Sequence, residues 1–488
     1  MKQSFAALLL LACAAPVFGG EPKYQKPEVT VPQNWQAPAP WRDAAPKDSL
    51  AKGTWWTLFS DPELNQYEDR ALASNQSLKA AVARLAEARS FARITASNYY
   101  PQLSVNPSVQ RERLSGNRPT LGGTAATAPV TQNLFQIPFD LNYELDLFGR
   151  VRRSVEAANE QYQASAADLE NVRLTITSEV AADFFQLREL DAEMAVVRKA
   201  IDYEQKGLQV VENRHTGGAA SGLDVAQQQT VLNASQAQLA LLQQQRDQFQ
   251  HALAALQGLP ASSFVAPVRA LDAQPPAIPL LLPSELLERR PDIAEAERNV
   301  AAANARIGVA RAALFPSIGI GGSAGWESRG LGSLLNVSST FWSLGISALQ
   351  PILNGGRNRA ALENARAAYE ETAANYRESA LTAFQQVEDS LSSLNALSSA
   401  STSQDQAVEA ATRALTLANA RYSGGLVTYL DVITAQEQLL TNERLATQLR
   451  GQRLLSSVLL VKALGGGWDS ASLASVGIKP SLKQAIQP

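Results

Sequence analysis

One cysteine and two histidines are all that 488 residues offer for thiol or imidazole chemistry. A lone Cys13 excludes a disulfide framework and any cysteine-based zinc site. His215 and His251 leave no room for a histidine-rich metal centre, and no phosphate loop or nucleophile–base spacing is present. Charge of one sign is also missing. The 43 Lys and Arg residues nearly balance 46 Asp and Glu residues, and no basic patch stands out, which argues against a nucleic-acid partner. Long hydrophobic runs are absent except at the start, which weighs against a polytopic helical membrane protein. These absences weigh against an enzyme, and no cofactor or metal is expected.

The N-terminal run Phe5–Cys13 follows Lys2 and is too short to cross a bilayer. It suits the apolar core of an export signal, expected over residues 1–19. Two processing chemistries stay open. Leu10-Leu11-Ala12-Cys13 resembles a lipobox, which makes Cys13 a candidate for lipidation. Val17-Phe18-Gly19 has the small-x-small pattern of ordinary signal cleavage.

What the chain does have is an internal repeat. Arg214–Val225 matches Arg421–Val432 at six of twelve positions, with two further Ser/Thr exchanges. The offset of 207 also superposes Gly149-Arg150 on Gly356-Arg357 and Tyr162 on Tyr369. Two copies of one unit therefore span residues 64–258 and 285–465, joined by a Pro- and Ala-rich linker at 259–284. Each unit reads as helix, two strands, very long helix, turn, helix. Arg357–Ser423 contains no Gly or Pro, and Arg150–Thr216 contains only Gly207. Such a stretch spans about 100 Å as one helix. The flanking helical segments 65–99, 223–257, 285–315 and 428–463 are each about half as long, so one long helix is expected to lie antiparallel to two stacked short ones.

Strands are expected at 101–113, 132–148, 316–326 and 340–353. Every odd position from Phe135 to Leu147 is apolar, whereas the even ones include Gln136, Asp140, Asn142, Glu144 and Asp146. Period two with one apolar face suits a half-buried strand. The length and the export signal favour lipid against that face. A sheet in lipid must close, because open edges leave backbone groups unpaired. Four strands are too few to close, so several chains must contribute, and three would supply twelve. The even face would then line a lumen with Asp140, Asn142, Glu144 and Asp146, and its nine carboxylates would favour cations. Local pairing with Arg150, Arg152 or Arg153 is the alternative, above all for Asp146.

These residues resemble the outer-membrane efflux channel family, the trimeric channel-tunnels of tripartite exporters. The branch they resemble most is the lipoprotein type serving resistance-nodulation-division pumps. Trp55-Trp56-x-Leu58-Phe59-x-Asp61-Pro62-x-Leu64 is similar to its opening motif, Leu282–Ile293 to the start of its second repeat, and Leu464–Trp468 to its end. Pro22–Pro27 resembles its mature N-terminus, although Phe18 stands where the family's lipidated cysteine usually sits and Cys13 lies upstream.

The resemblance implies a mainly α fold with a transmembrane β part. A twelve-stranded β-barrel, four strands from each chain of a homotrimer, would stack on a long α-helical barrel. An equatorial collar would gather residues 20–63, the linker and residues 466–488. It implies an outer-membrane location with the tube in the periplasm, a periplasmic adaptor, and an inner-membrane resistance-nodulation-division pump that drives small molecules through a passive conduit. The repeated turns would be adaptor-docking tips, through Arg214, Gly217, Gly218, Ser221, Asp224, Arg421, Gly424, Gly425 and Thr428. Tyr429, Leu430 and Asp431 would form the periplasmic gate. Helix capping explains the Gly and Ser/Thr positions equally well. A protein-secretion channel and a non-conducting envelope tether are the competing functions.

Overall fold

The computed structural model describes residues 24–33, 35, 53–117, 128–278, 283–468, 473 and 476–477. Cys13 and the alternative cleavage site at Val17–Gly19 lie outside them. Helices α1 (Pro62–Ser74) and α2 (Gln76–Ala96) lead into strands β1 (Gln102–Val105), β2 (Ser108–Leu114) and β3 (Val130–Leu145). The long helix α3 (Arg150–Thr216) and then α4 (Gly222–Leu256) complete the first repeat. The second repeat follows the same plan with α5 (Pro283–Arg289), α6 (Pro291–Ala312), β4 (Ser317–Ser328), β5 (Thr340–Leu349), α7 (Arg357–Ser423) and α8 (Tyr429–Ala463). The chain is thus mainly helical with one antiparallel sheet, as the periodicities predict.

Helices α3 and α7 each run 67 residues without a break. Each begins after a glycine in the left-handed region, Gly149 at φ 80° and Gly356 at φ 83°, which lets the chain swing from sheet into helix. The short helices do stack in pairs along the long ones, and one polar residue per repeat makes each junction. Asn75 splits the helix expected over 65–99. Its side-chain oxygen accepts from Leu78 N, while its amide donates to Leu256 O at the end of α4 (2.8 Å). At the equivalent place in the second repeat, Arg290 donates to Ala463 O at the end of α8 (3.0 Å). The last carbonyls of α4 and α8 would otherwise lack a partner.

The sheet has the order β1/β2–β3–β4–β5. The first expected strand is two, because the ladder lapses at Asn106-Pro107, where Pro107 has no N–H to give. The register survives the gap, with Val105 opposite Phe139 and Ser108 opposite Gln136. Two ends fall short of expectation. β3 stops at Leu145 because Asp146 turns to cap α3, and β5 stops at Leu349 ahead of Pro351.

The N-terminal segment and the linker gather at the middle of the long helices. Trp35, Trp55, Trp56, Phe59, Phe264 and Ile278 pack against Phe184, Phe185 and Phe384. Trp55 donates its indole N–H to Thr177 Oγ1 (3.2 Å). A buried ion network ties these layers. Arg188 binds Asp191 and Glu63, each at 2.7 Å, and the Pro267 carbonyl at 2.6 Å. Arg246 binds the other oxygen of Asp191 (2.6 Å) and the Ala266 carbonyl (2.9 Å). Both guanidinium groups and Asp191 are buried, so each needs the others to offset desolvation.

Two predictions follow from this packing. Asp191→Ala leaves Arg188 and Arg246 facing each other without their shared anion, and should cost about 3–5 kcal/mol, read as a fall in thermal stability. A loss under about 1 kcal/mol would mean water reaches the site. The second concerns pH. Burial, with the neighbouring Glu193 adding to it, pushes Glu189 up to about 7, and burial beside Asp168 and Asp292 does the same to Glu295. Between the ordinary carboxyl value of 4.5 and about 7, the folded chain holds protons that the unfolded chain has released. Stability should therefore fall as pH rises through that window. Glu189→Gln should flatten the dependence, and an unchanged profile in this variant would remove Glu189 from the account.

Candidate functional site

Two surfaces carry the residues singled out in the sequence. The first is the pair of tips where the long helices turn back. In the first tip, Gly217 N donates to Asn213 O, Gly218 N to His215 O and Ala219 N to Arg214 O, with Gly218 at φ 75°. In the second, Gly424 N donates to Ala420 O, Gly425 N to Tyr422 O and Leu426 N to Arg421 O, with Gly425 at φ 72°. Both are helix ends closed by a left-handed glycine. The next helix then starts on a reciprocal cap. Asp224 Oδ2 accepts from Ser221 N and Oγ, both at 2.9 Å, and Asp431 Oδ2 accepts from Thr428 N (3.0 Å) and Oγ1 (2.7 Å). The aspartates that capping left unexplained in the sequence are thus the third residues of two capping boxes.

The tips are also fastened to each other, through residues that sequence reasoning missed. The Arg214 guanidinium lies 4.7 Å from the Tyr422 ring, and Tyr422 packs on Tyr429 with centroids 5.0 Å apart. Tyr429 is buried with Val211, Val231, Val432 and Ile433. Its hydroxyl donates to Gln228 Oε1 (2.9 Å), and Gln228 Nε2 donates to Glu204 O (2.9 Å). A Cβ at Gly207 would crowd the Tyr429 hydroxyl at 3.1 Å and Gln228 Nε2 at 3.3 Å, so those groups would have to give way. The lone glycine of a 67-residue helix was the available signal, since an interior glycine costs helix stability unless something needs the space. Burial pushes the Tyr429 hydroxyl well above its ordinary value, with Tyr422 and Tyr203 adding to it, so it stays a donor. This corrects one expectation. Tyr429 is not a free gate surface but the bolt between the two hairpins. Leu430 and Asp431 stand beside it and are exposed, as are Leu426 and Arg421.

The second surface is the sheet. Register aligns Leu103, Leu141, Gly322 and Leu344 in one row and Val105, Phe139, Ala324 and Trp342 in the next. The other face aligns Ser104, Asp140, Ser323 and Ser343, then Gln102, Asn142, Gly321 and Gly345. The sheet is therefore apolar on one side, where Trp342 is 79% and Ile346 75% exposed, and polar on the other. Asp140, Asn142 and Glu144 lie on the polar face as expected from period two. Glu144, however, is gripped by Arg150 at 2.7 and 2.5 Å. Asp146 lies beyond β3 and accepts from Val151 N (3.0 Å) and Arg152 N (2.8 Å), capping α3. The set of three free carboxylates per chain is thus corrected to one, Asp140. Among the described residues, no three His, Cys, Asp or Glu side chains group as metal ligands, and no helix is long and apolar enough to cross a membrane.

Comparison with known proteins agrees with this geometry. The sequence pattern of the Outer membrane efflux protein family matches residues 68–259 and 282–466, that is, both repeats. The chain is 36% identical over 466 residues to the pyoverdine export outer membrane protein OpmQ of Pseudomonas aeruginosa, covering 95% of this chain and 96% of that one. It is 32% identical over 473 residues to the solvent efflux pump outer membrane protein SrpC of Pseudomonas putida, covering 95% and 97%. The solved outer-membrane channel OprN superposes with a TM-score of 0.84 at 28% identity, covering 92% of this chain and 99% of that one. Two repeats, two long helical hairpins, a two-faced sheet and this likeness over nearly the whole length lead to one conclusion: the chain belongs to the outer membrane efflux protein family, whose members are channels rather than enzymes, and it is an outer-membrane exit channel of tripartite efflux pumps.

Proposed function

We propose that three copies of this chain close a twelve-stranded barrel and conduct small organic molecules, selected upstream by an inner-membrane resistance-nodulation-division pump and handed over by a periplasmic adaptor. The observation that carries this reading is the sheet. It has one apolar face and two open edges, β5 and the β1/β2 line, and backbone groups at those edges must be paired in lipid. Identical chains offer each other β5 against β1/β2 in a ring. Relatives named for pyoverdine export and for solvent efflux differ in cargo, which fits a duct whose wall of Ser, Gly and Asn does little selecting.

The adaptor would dock on the exposed parts of the tips, through Arg421, the Gly217-Gly218 and Gly424-Gly425 turns, and the capped starts at Ser221 and Thr428. Arg214 and Asp224 shape those turns from within. Leu430 and Asp431, repeated three times about the axis, would form the narrowest ring. Asp140 would give the lumen a modest preference for cations. A lipid anchor on Cys13 remains part of the proposal, and mass spectrometry of the mature N-terminus decides it.

Single-channel conductance in a planar bilayer tests the conduit and the gate. The native protein should conduct weakly, and Asp431→Ala should conduct more, because it removes both the acidic ring and a cap worth about 1 kcal/mol. Tyr429→Phe loses one buried hydrogen bond, about 1 kcal/mol, and should shift the closed-to-open ratio by about fivefold. Conductance that ignores both substitutions would move the gate elsewhere. No conductance from folded trimers of any variant would favour the tether. A reversal potential showing anion selectivity would reject the role of Asp140.

A further inference from the structure

The apolar face of the sheet ends abruptly. From Leu145 up to Phe135, β3 presents an apolar residue at every odd position, about ten residue steps or 34 Å of strand. At a tilt of about 40° this makes a band about 25 Å tall, the height of a transmembrane apolar belt. β2 continues the same face through Val109, which stands opposite Phe135, and then changes character. The next two residues on that face are Arg111, opposite Asn133, and Arg113, opposite Thr131. Both are exposed. They sit at the end of the sheet away from the helices, just above the apolar belt. Arg329, also exposed, follows Ser328, which stands opposite Phe135 at the same level.

These arginines have no counter-charge. Neither Arg111, Arg113 nor Arg329 has an ion pair among the described residues. From residue 101 to 139 the only acidic residue is Glu112, and from 317 to 356 the only one is Glu327. Both belong to the opposite, polar face. Glu112 accepts from Gln132 (2.8 Å) and Glu327 from Gln136 (2.9 Å). An identical neighbouring chain would bring the same two glutamates, Glu112 and Glu327, again on the polar face. Solvent alone would leave two guanidinium groups against the lipid edge, where side chains near the interface cost little but gain nothing.

We propose that Arg111 and Arg113 bind phosphate groups on the headgroups of outer-leaflet lipid. The two Cα atoms are one pleat apart, about 7 Å, so both side chains leave the same face, and each guanidinium can hold a phosphate through paired N–H donors. The site fits a headgroup that carries two phosphates on a sugar backbone, and Arg329 adds a third positive charge at the same rim. The proposal rests on the reading of the odd face of β3 as lipid-facing.

The test is native mass spectrometry of the purified trimer with bisphosphorylated lipid A and with the same lipid after enzymatic dephosphorylation. The native protein should hold the phosphorylated form about tenfold more tightly, and R111Q/R113Q should lose that preference. R111K/R113K should keep part of it, because charge is retained and the paired donors are not. Equal binding of the two lipids by the native protein overturns the proposal, and that comparison needs no variant. An undiminished preference in R111Q/R113Q overturns it as well. Conductance of R111Q/R113Q should match the native value. A failure of the channel reading would instead show as absent conductance in the native protein.

Discussion

Backbone groups in lipid must be paired, and one chain of this protein cannot pair them. The sheet offers four strand positions in the order β1/β2–β3–β4–β5, with an open edge on each side. Its apolar face carries Leu103, Phe139, Trp342 and Ile346 into the surroundings rather than into a core. Everything else in the architecture is consistent with meeting that demand from several chains. The strands enter the long helices through Gly149 and Gly356, so each hairpin of strands stands on its own pair of helices. The two repeats supply the same geometry twice within the chain.

Below the sheet the problem reverses. The helices carry many polar faces, and the ends of the short ones meet along the long helices. Asn75 and Arg290 solve it at equivalent places with different chemistry, one amide and one guanidinium, each holding the last carbonyls of a neighbouring helix. At the middle of the tube, Arg188 and Arg246, both held by Asp191, donate to the linker carbonyls of Pro267 and Ala266. The linker is thereby fixed against a helix, because its own carbonyls satisfy buried donors.

The tips are rigid units fastened to each other by side chains. Each turn is over-determined by glycine closure and a capping box, so it behaves as a preformed unit. Between the turns the contacts are the Arg214 guanidinium over the Tyr422 ring, the Tyr429 hydroxyl on Gln228 in the space left by Gly207, the Asn419 amide on the Tyr203 hydroxyl, and Tyr429 packed against Val211 and Val231.

Much of this was legible in the sequence because it is periodic. An offset of 207 locates both tips, and the glycines that flank each long stretch delimit both 67-residue helices to the residue. Strict alternation assigns the two faces of the sheet, because side chains on a strand point to opposite sides in turn. The need for several chains follows from counting strands. What periodicity cannot report is which polar group finds which partner. Asp146 keeps the parity of a lumen residue yet leaves the strand to cap a helix, and Glu144 keeps its place yet loses its free charge to Arg150. Tyr429 reads as a tip residue and is buried across the repeat boundary, because Gly207, more than two hundred residues earlier, leaves room for it. Local pattern fixes the direction of a side chain along its own element. The partner is decided by how two elements distant in sequence pack together, and only the tertiary structure holds that.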